Sequence, residues 1–261
     1  MRFLGIVLLL SLPLQAWDSR TESGLQVGDG MHYQFTYLAS TQAQADGPTE
    51  LPGYFVWLSK GCLTEMHELK AKSIDVADGQ AVGLDLEAKR IEHRGTNAGT
   101  DDIQGWWNDC ATAYQAGNKP QAYFLLGIVL HMVEDMGVPA HANNVYHQGN
   151  LTEFDNFEYN ATFHYSYILD GNRSILDHSR INRNDPLLSD PSRYYAFSRD
   201  WTHTDAPDYV NRSRYPKTRV WPFWSDGDEQ LMRDRQARTA AVTYWCLRSA
   251  LRLWAGNPNP N

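Results

Sequence analysis

Apolar positions along the chain recur at helical spacing and almost nowhere at the alternating spacing of a strand. The clearest run is Ala122, Phe124, Leu125, Ile128 and Val129, which leads into His131 and Asp135. Asn118, Lys119 and Pro120 supply a cap and a first turn before the run, and Gly137 and Pro139 stop it. The pattern therefore predicts a helix on which His131 and Asp135 share one face, one turn apart. His141 folds back towards them from the turn beyond.

Other segments carry the same period. The stretch HYQFTYLAS from His32 reads as a helix, and Leu51 to Leu69 as a second. The segment Ser73 to Arg94 is less periodic, and the glycine-bearing run Arg94 to Asp102 reads as a loop. Ile103 to Ala116 places Trp106, Trp107, Cys110 and Ala113 on one helical side, with Gly117 closing it. Leu151 to Leu169 is a further helix, Asn172 to Asp226 a long ordered loop region, and Asp228 to Trp254 a long final helix. The fold class expected is all-α: a single compact multi-helix domain with long ordered loops and a site between its helices.

Composition adds a compartment. Residues 1–16, MRFLGIVLLLSLPLQA, combine one Arg, an apolar run and a small terminal Ala, the arrangement of a secretory signal too short to span a membrane. Cleavage there leaves residues 17–261, starting at Trp17, in a secreted or periplasmic location. Loss of Arg2 takes the formal net charge from −8 to −9. Such acidity gives no footprint for duplex nucleic acid, although a cation cluster can reverse the potential locally. Three cysteines, Cys62, Cys110 and Cys246, permit one disulfide, and their spacing suits no zinc knuckle. They read as structural.

Imidazole and carboxylate at helical spacing are ligands that zinc and related cations accept. The duller reading of His131, Asp135 and His141 is a capped helix bearing a few polar residues. Burial weighs against it, because a His and an Asp side by side on an apolar helix are costly unless something pairs them.

Taken together, the run LHMVEDMGVPAH, the mature Trp17 and a histidine about fifteen residues on, His32, resemble the zinc-dependent phospholipase C and single-strand-specific nuclease superfamily. The likeness is sharper to bacterial secreted members with a VPAHANN run, here Val138 to Asn144, and an FDNFE element, here Phe154 to Glu158. The resemblance implies up to three zinc ions. Trp17, through its freed amine and carbonyl, and His32 would hold one, and Asp135 would bridge it to a second bound by His131. His141 and Glu158 would hold the third. The family pairs that Glu with a His one turn earlier, where this chain has Phe154, and His147 is the preferred replacement over Asp155. The family also places an Asp and a His-Phe-Tyr run before the central helix. This chain has no such run, and its candidates are His93 with Asp101 or Asp102, in reversed order.

What the resemblance implies about function is hydrolysis of a phosphodiester by a metal-activated hydroxide, with Asp101 orienting the water or taking its proton. A phospholipid headgroup bond is the first substrate expected, with a monomeric enzyme making peripheral contact with a membrane. A single-strand-specific nuclease, whose many Tyr and Trp would stack on bases, is the alternative within the family. The missing His-Phe-Tyr run keeps a third reading open, a metal-stabilised binding or structural protein without the full catalytic set.

Overall fold

The computed structural model describes residues 30–64, 73–77, 80–83, 97–142 and 226–256. Helix α1 runs Met31–Ala45, a 3-10 turn covers Leu51–Gly53, and α2 is Phe55–Cys62. Strands β1 (Ser73–Ala77) and β2 (Gln80–Gly83) follow, then α3 (Asn97–Gln115), α4 (Lys119–Asp135), α5 (Pro139–Ala142) and α6 (Asp226–Trp254). The architecture is all-α, with one small antiparallel β-hairpin as its exception. That hairpin pairs Ile74 with Val82 and carries an irregularity between Asp75 and Ala77. Among the described residues, no helix is long and apolar enough to cross a membrane.

Helix α4 is the axis of the structure. Every residue from Ala122 to Asp135 is buried, because α2, α3, α6 and α1 all pack on it. A helix apolar on all sides can only be a core helix. Its start is built as the sequence suggests: Gly117 closes α3 at φ +80°, with Gly117 N–H donating to Tyr114 O and Asn118 N–H to Ala113 O. This is the paired hydrogen-bond pattern of a glycine-terminated helix. Asn118 then caps α4, its side chain accepting from the Gln121 N–H with Pro120 in the first turn. One residue thus ends one helix and begins the next, making α3 and α4 an antiparallel hairpin.

Two glycines set the spacing of α2 on α4. A Cβ at Gly61 would lie 2.0 Å from the Phe124 carbonyl oxygen, and one at Gly127 would lie 2.2 Å from that of Leu58. The two backbones therefore touch where the helices cross. Further along α4, a Cβ at Gly137 would lie 2.0 Å from Thr239 Oγ1, so α6 also approaches closely just past the helix end. At the opposite end, Glu50 accepts from Tyr114 Oη at 2.7 Å and pairs with Lys119, while Trp254 stacks on Tyr114 with ring centroids 4.3 Å apart. These contacts fasten the turn end of the hairpin and leave the His131 end to the site.

Several expectations change. The helix expected from Leu51 to Leu69 is a 3-10 turn followed by the short α2, which ends at Cys62 with Leu63 as its cap. Pro52 and Gly53 interrupt the helical hydrogen-bond ladder at the beginning. Residues 65–69 lie outside the described residues. The loop expected from Arg94 to Asp102 is helical from Asn97 onward. Burial of Ile103, Trp106, Trp107 and Cys110 in the core outweighs the weak helix propensity of Asn97 and Gly99. Asp101 is therefore a residue of α3, and the hairpin geometry puts its backbone at the Asp135 end, since it precedes Gly117 by about as much as Asp135 follows it. All three cysteines are buried free thiols, so the disulfide that their number permits is not formed.

The crossing of α2 and α4 yields a paired prediction. Gly127→Ala forces a methyl group between two backbones and is expected to cost about 3 kcal/mol or more. Gly105→Ala in α3, where a Cβ meets nothing within 4 Å, is expected to stabilise by about 0.5–1 kcal/mol. Chemical denaturation of both variants checks this, and equal effects would contradict the close approach.

Candidate metal centre

His32, His131 and Asp135 come together although α1 and α4 are separated by most of a hundred residues of chain. Their ligating atoms lie within 4.8 Å of one another, and all three side chains are fully buried. His32 Nε2 lies 3.4 Å from Asp135 Oδ1, and His131 Nε2 lies 3.5 Å from Asp135 Oδ2. Each carboxylate oxygen thus faces a different imidazole. The two rings stack, with centroids 4.1 Å apart and planes inclined by 14°.

The other nitrogen of each ring is engaged. His32 Nδ1 is 2.7 Å from Glu134 Oε2, and His131 Nδ1 is 2.9 Å from the Cys62 carbonyl oxygen. Both partners only accept, so each Nδ1 carries hydrogen and donates. Each ring therefore turns Nε2 towards Asp135, and in the neutral tautomer that nitrogen carries a lone pair and no hydrogen. The crossing at Gly61 and Gly127 produces the second contact, since Cys62 and His131 follow directly from it along their helices.

Distances separate a cation site from an ordinary buried ion pair. A charge-assisted N–H···O bond contracts to about 2.7–2.9 Å, as His32 to Glu134 does at 2.7 Å. The two Nε2 to Oδ distances, at 3.4 and 3.5 Å, do not contract. Two ligand atoms bound to one tetrahedral zinc at about 2.0–2.1 Å stand about 3.3 Å apart. His32 Nε2 makes no hydrogen bond despite having no solvent access. A metal ion would supply the partner that this nitrogen lacks. This donor set could hold a metal ion.

The charges agree. Burial by itself would lower the His32 pKa, but the nearby carboxylates of Asp135 and Glu134 outweigh it and raise it. Burial pushes the Glu134 carboxyl up, and His32, Thr243 and Thr36 hold it partly down. The centre thus favours added positive charge beside its two carboxylates, which a proton or a metal cation would supply. Burial also pushes all three thiols up, and none of them belongs to the His32, His131 and Asp135 group.

His141 lies in α5 and is buried, but it does not join the His32, His131 and Asp135 group. Asp101 is placed by its backbone in α3. Trp17, His93, His147 and Glu158 lie outside the described residues, as does the 1–16 segment. Sequence reasoning missed Glu134, which also accepts from Thr36 Oγ1 and Thr243 Oγ1, each at 3.2 Å. A signal for it existed: on a helix apolar all round, every polar residue must be paired.

Because imidazole protons compete with a metal, zinc binding to the metal-free protein at neutral pH is expected to release protons, and affinity is expected to fall as pH falls. Calorimetry in buffers of different ionisation enthalpy reads the proton count directly. Asp135→Asn is expected to bind zinc at least tenfold more weakly. Binding without proton release, or unchanged in that variant, would contradict the site. No protein-family model matches the chain, and no curated protein matches it.

Proposed function

We propose that this chain is a secreted zinc-dependent phosphodiester hydrolase of the phospholipase C type. The observation that carries the reading is the Asp135 carboxylate set between two imidazoles, one oxygen to each. That is the arrangement expected of a bridging ligand in the superfamily that the chain resembles. Trp17, through its free amine and carbonyl, would complete the His32 side, and His141 with Glu158 and His147 would hold a third ion. His93 and Asp101 would close the His131 side.

Zinc at such a centre supplies Lewis acidity towards phosphoryl oxygens and lowers the pKa of water. The chain's own residues set the conditions for that chemistry. The buried α4 excludes bulk water from behind the site, which strengthens each charge interaction in front of it. The two imidazole rings are held from behind through Nδ1, by Glu134 and by the Cys62 carbonyl, so that their Nε2 atoms need not reorganise during reaction. Asp101, at the N-terminal end of α3 and at the Asp135 end of the hairpin, would orient the attacking water or accept its proton.

Net acidity favours a phospholipid headgroup over a nucleic acid, because a polyanion meets repulsion everywhere except at the metals. The mature protein is expected to release phosphocholine from lecithin in a zinc-dependent manner. Release of nucleotides from single-stranded DNA instead would move the reading to a nuclease, and neither product with bound zinc would reduce it to a binding protein.

The N-terminal ligand gives a second test. One residue added ahead of Trp17 blocks the amine and is expected to lower zinc content and activity together. Full activity in the extended protein would remove Trp17 from the site.

A further inference from the structure

Consecutive residues of α4 face the two nitrogens of one imidazole. Successive side chains on a helix diverge by about 100°, so Asp135 faces His32 Nε2 while Glu134 reaches around to His32 Nδ1 at 2.7 Å. Glu134 is itself fixed. Its Oε1 accepts from Thr36 Oγ1 on α1 and from Thr243 Oγ1 on α6, and all four side chains are fully buried. The carboxylate therefore ties together the first, the central and the last described helices. His131 differs, since its Nδ1 donates to the neutral carbonyl of Cys62.

We propose that Glu134 is a positioning residue of the metal centre, fixing His32 in the Nδ1–H tautomer and making it the stronger donor of the two imidazoles. The proposal rests on the reading of His32, His131 and Asp135 as metal ligands. A carboxylate accepting from the distal nitrogen of a ligating histidine raises the basicity of the ligating one, whereas a carbonyl does so less. The two hydroxyls bond Glu134 Oε1, whereas His32 bonds Oε2. Their loss alters folding stability and leaves the electronic effect on His32 in place.

This division sets the experiment. Zinc affinity of the mature protein is measured by competition against a chelator of known affinity, for the wild type, Glu134→Gln, Thr36→Val and Thr243→Val. Glu134→Gln is expected to bind zinc about 10- to 100-fold more weakly, with each Thr variant within about threefold of wild type while unfolding at lower temperature. Equal affinity in Glu134→Gln, or equal losses in all three variants, would reduce Glu134 to a structural contact and overturn the proposal. Nitrogen-15 spectra of the zinc-loaded wild type test it without any substitution. The expected signal is a His32 Nδ1–H, and a His32 carrying its hydrogen on Nε2 would overturn it even if Glu134→Gln did not fold. A wild type that binds no zinc would instead bring down the metal-centre reading, and this proposal with it.

Discussion

Asp135 is a carboxylate with no exposed surface at the end of a helix that is buried on every side, and the surrounding structure answers its charge. Leaving such a charge without compensation costs about 3–5 kcal/mol. Two imidazoles from different helices turn their Nε2 atoms to it, and a second carboxylate and a backbone carbonyl stand behind them. Each answer demands a position of the main chain. His32 needs α1 laid against α4, and the Cys62 carbonyl needs α2 in backbone contact with it.

The glycines make those demands attainable. With Gly61 and Gly127 the α2 and α4 backbones meet directly, which brings the Cys62 carbonyl within hydrogen-bonding distance of His131. Gly137 admits Thr239, and Thr243, one turn further along α6, reaches Glu134. The closely packed interior and the polar centre are therefore one construction, in which a methyl group at a helix crossing would disturb ligands a turn away. Glu50 with Lys119 and Trp254 on Tyr114 fasten the other end of the hairpin, away from His131 and Asp135.

Much of this was legible in the pattern of residues. The cap at Asn118, the closure at Gly117 and the one-turn spacing of His131 and Asp135 are local, and local rules suffice for them. The pairing of His32 with that helix came through resemblance, since nothing in the spacing of His32 says which helix it will meet. What stayed hidden was decided by tertiary contact. Helix α3 begins at Asn97 because its later turns are buried on α4, against the propensity of its own first residues. Glu134 was passed over beside Asp135 because a lone acidic residue on a helix usually faces water, and only the complete burial of α4 shows that this one cannot. The β-hairpin falls in the segment Ser73 to Arg94, whose periodicity is too weak to decide between helix and strand, and α2 is shorter than its helical pattern because a 3-10 turn at Pro52 and Gly53 precedes it.

X-ray absorption at the zinc edge, on the mature protein loaded with zinc, bears most directly on the claim that His32, His131 and Asp135 form a metal centre. The expected result is a first shell of nitrogen and oxygen only, at about 2.0–2.1 Å, with the outer-shell scattering of imidazole rings. A sulfur shell at about 2.3 Å, which would bring in the buried cysteines, or the absence of bound zinc would contradict it.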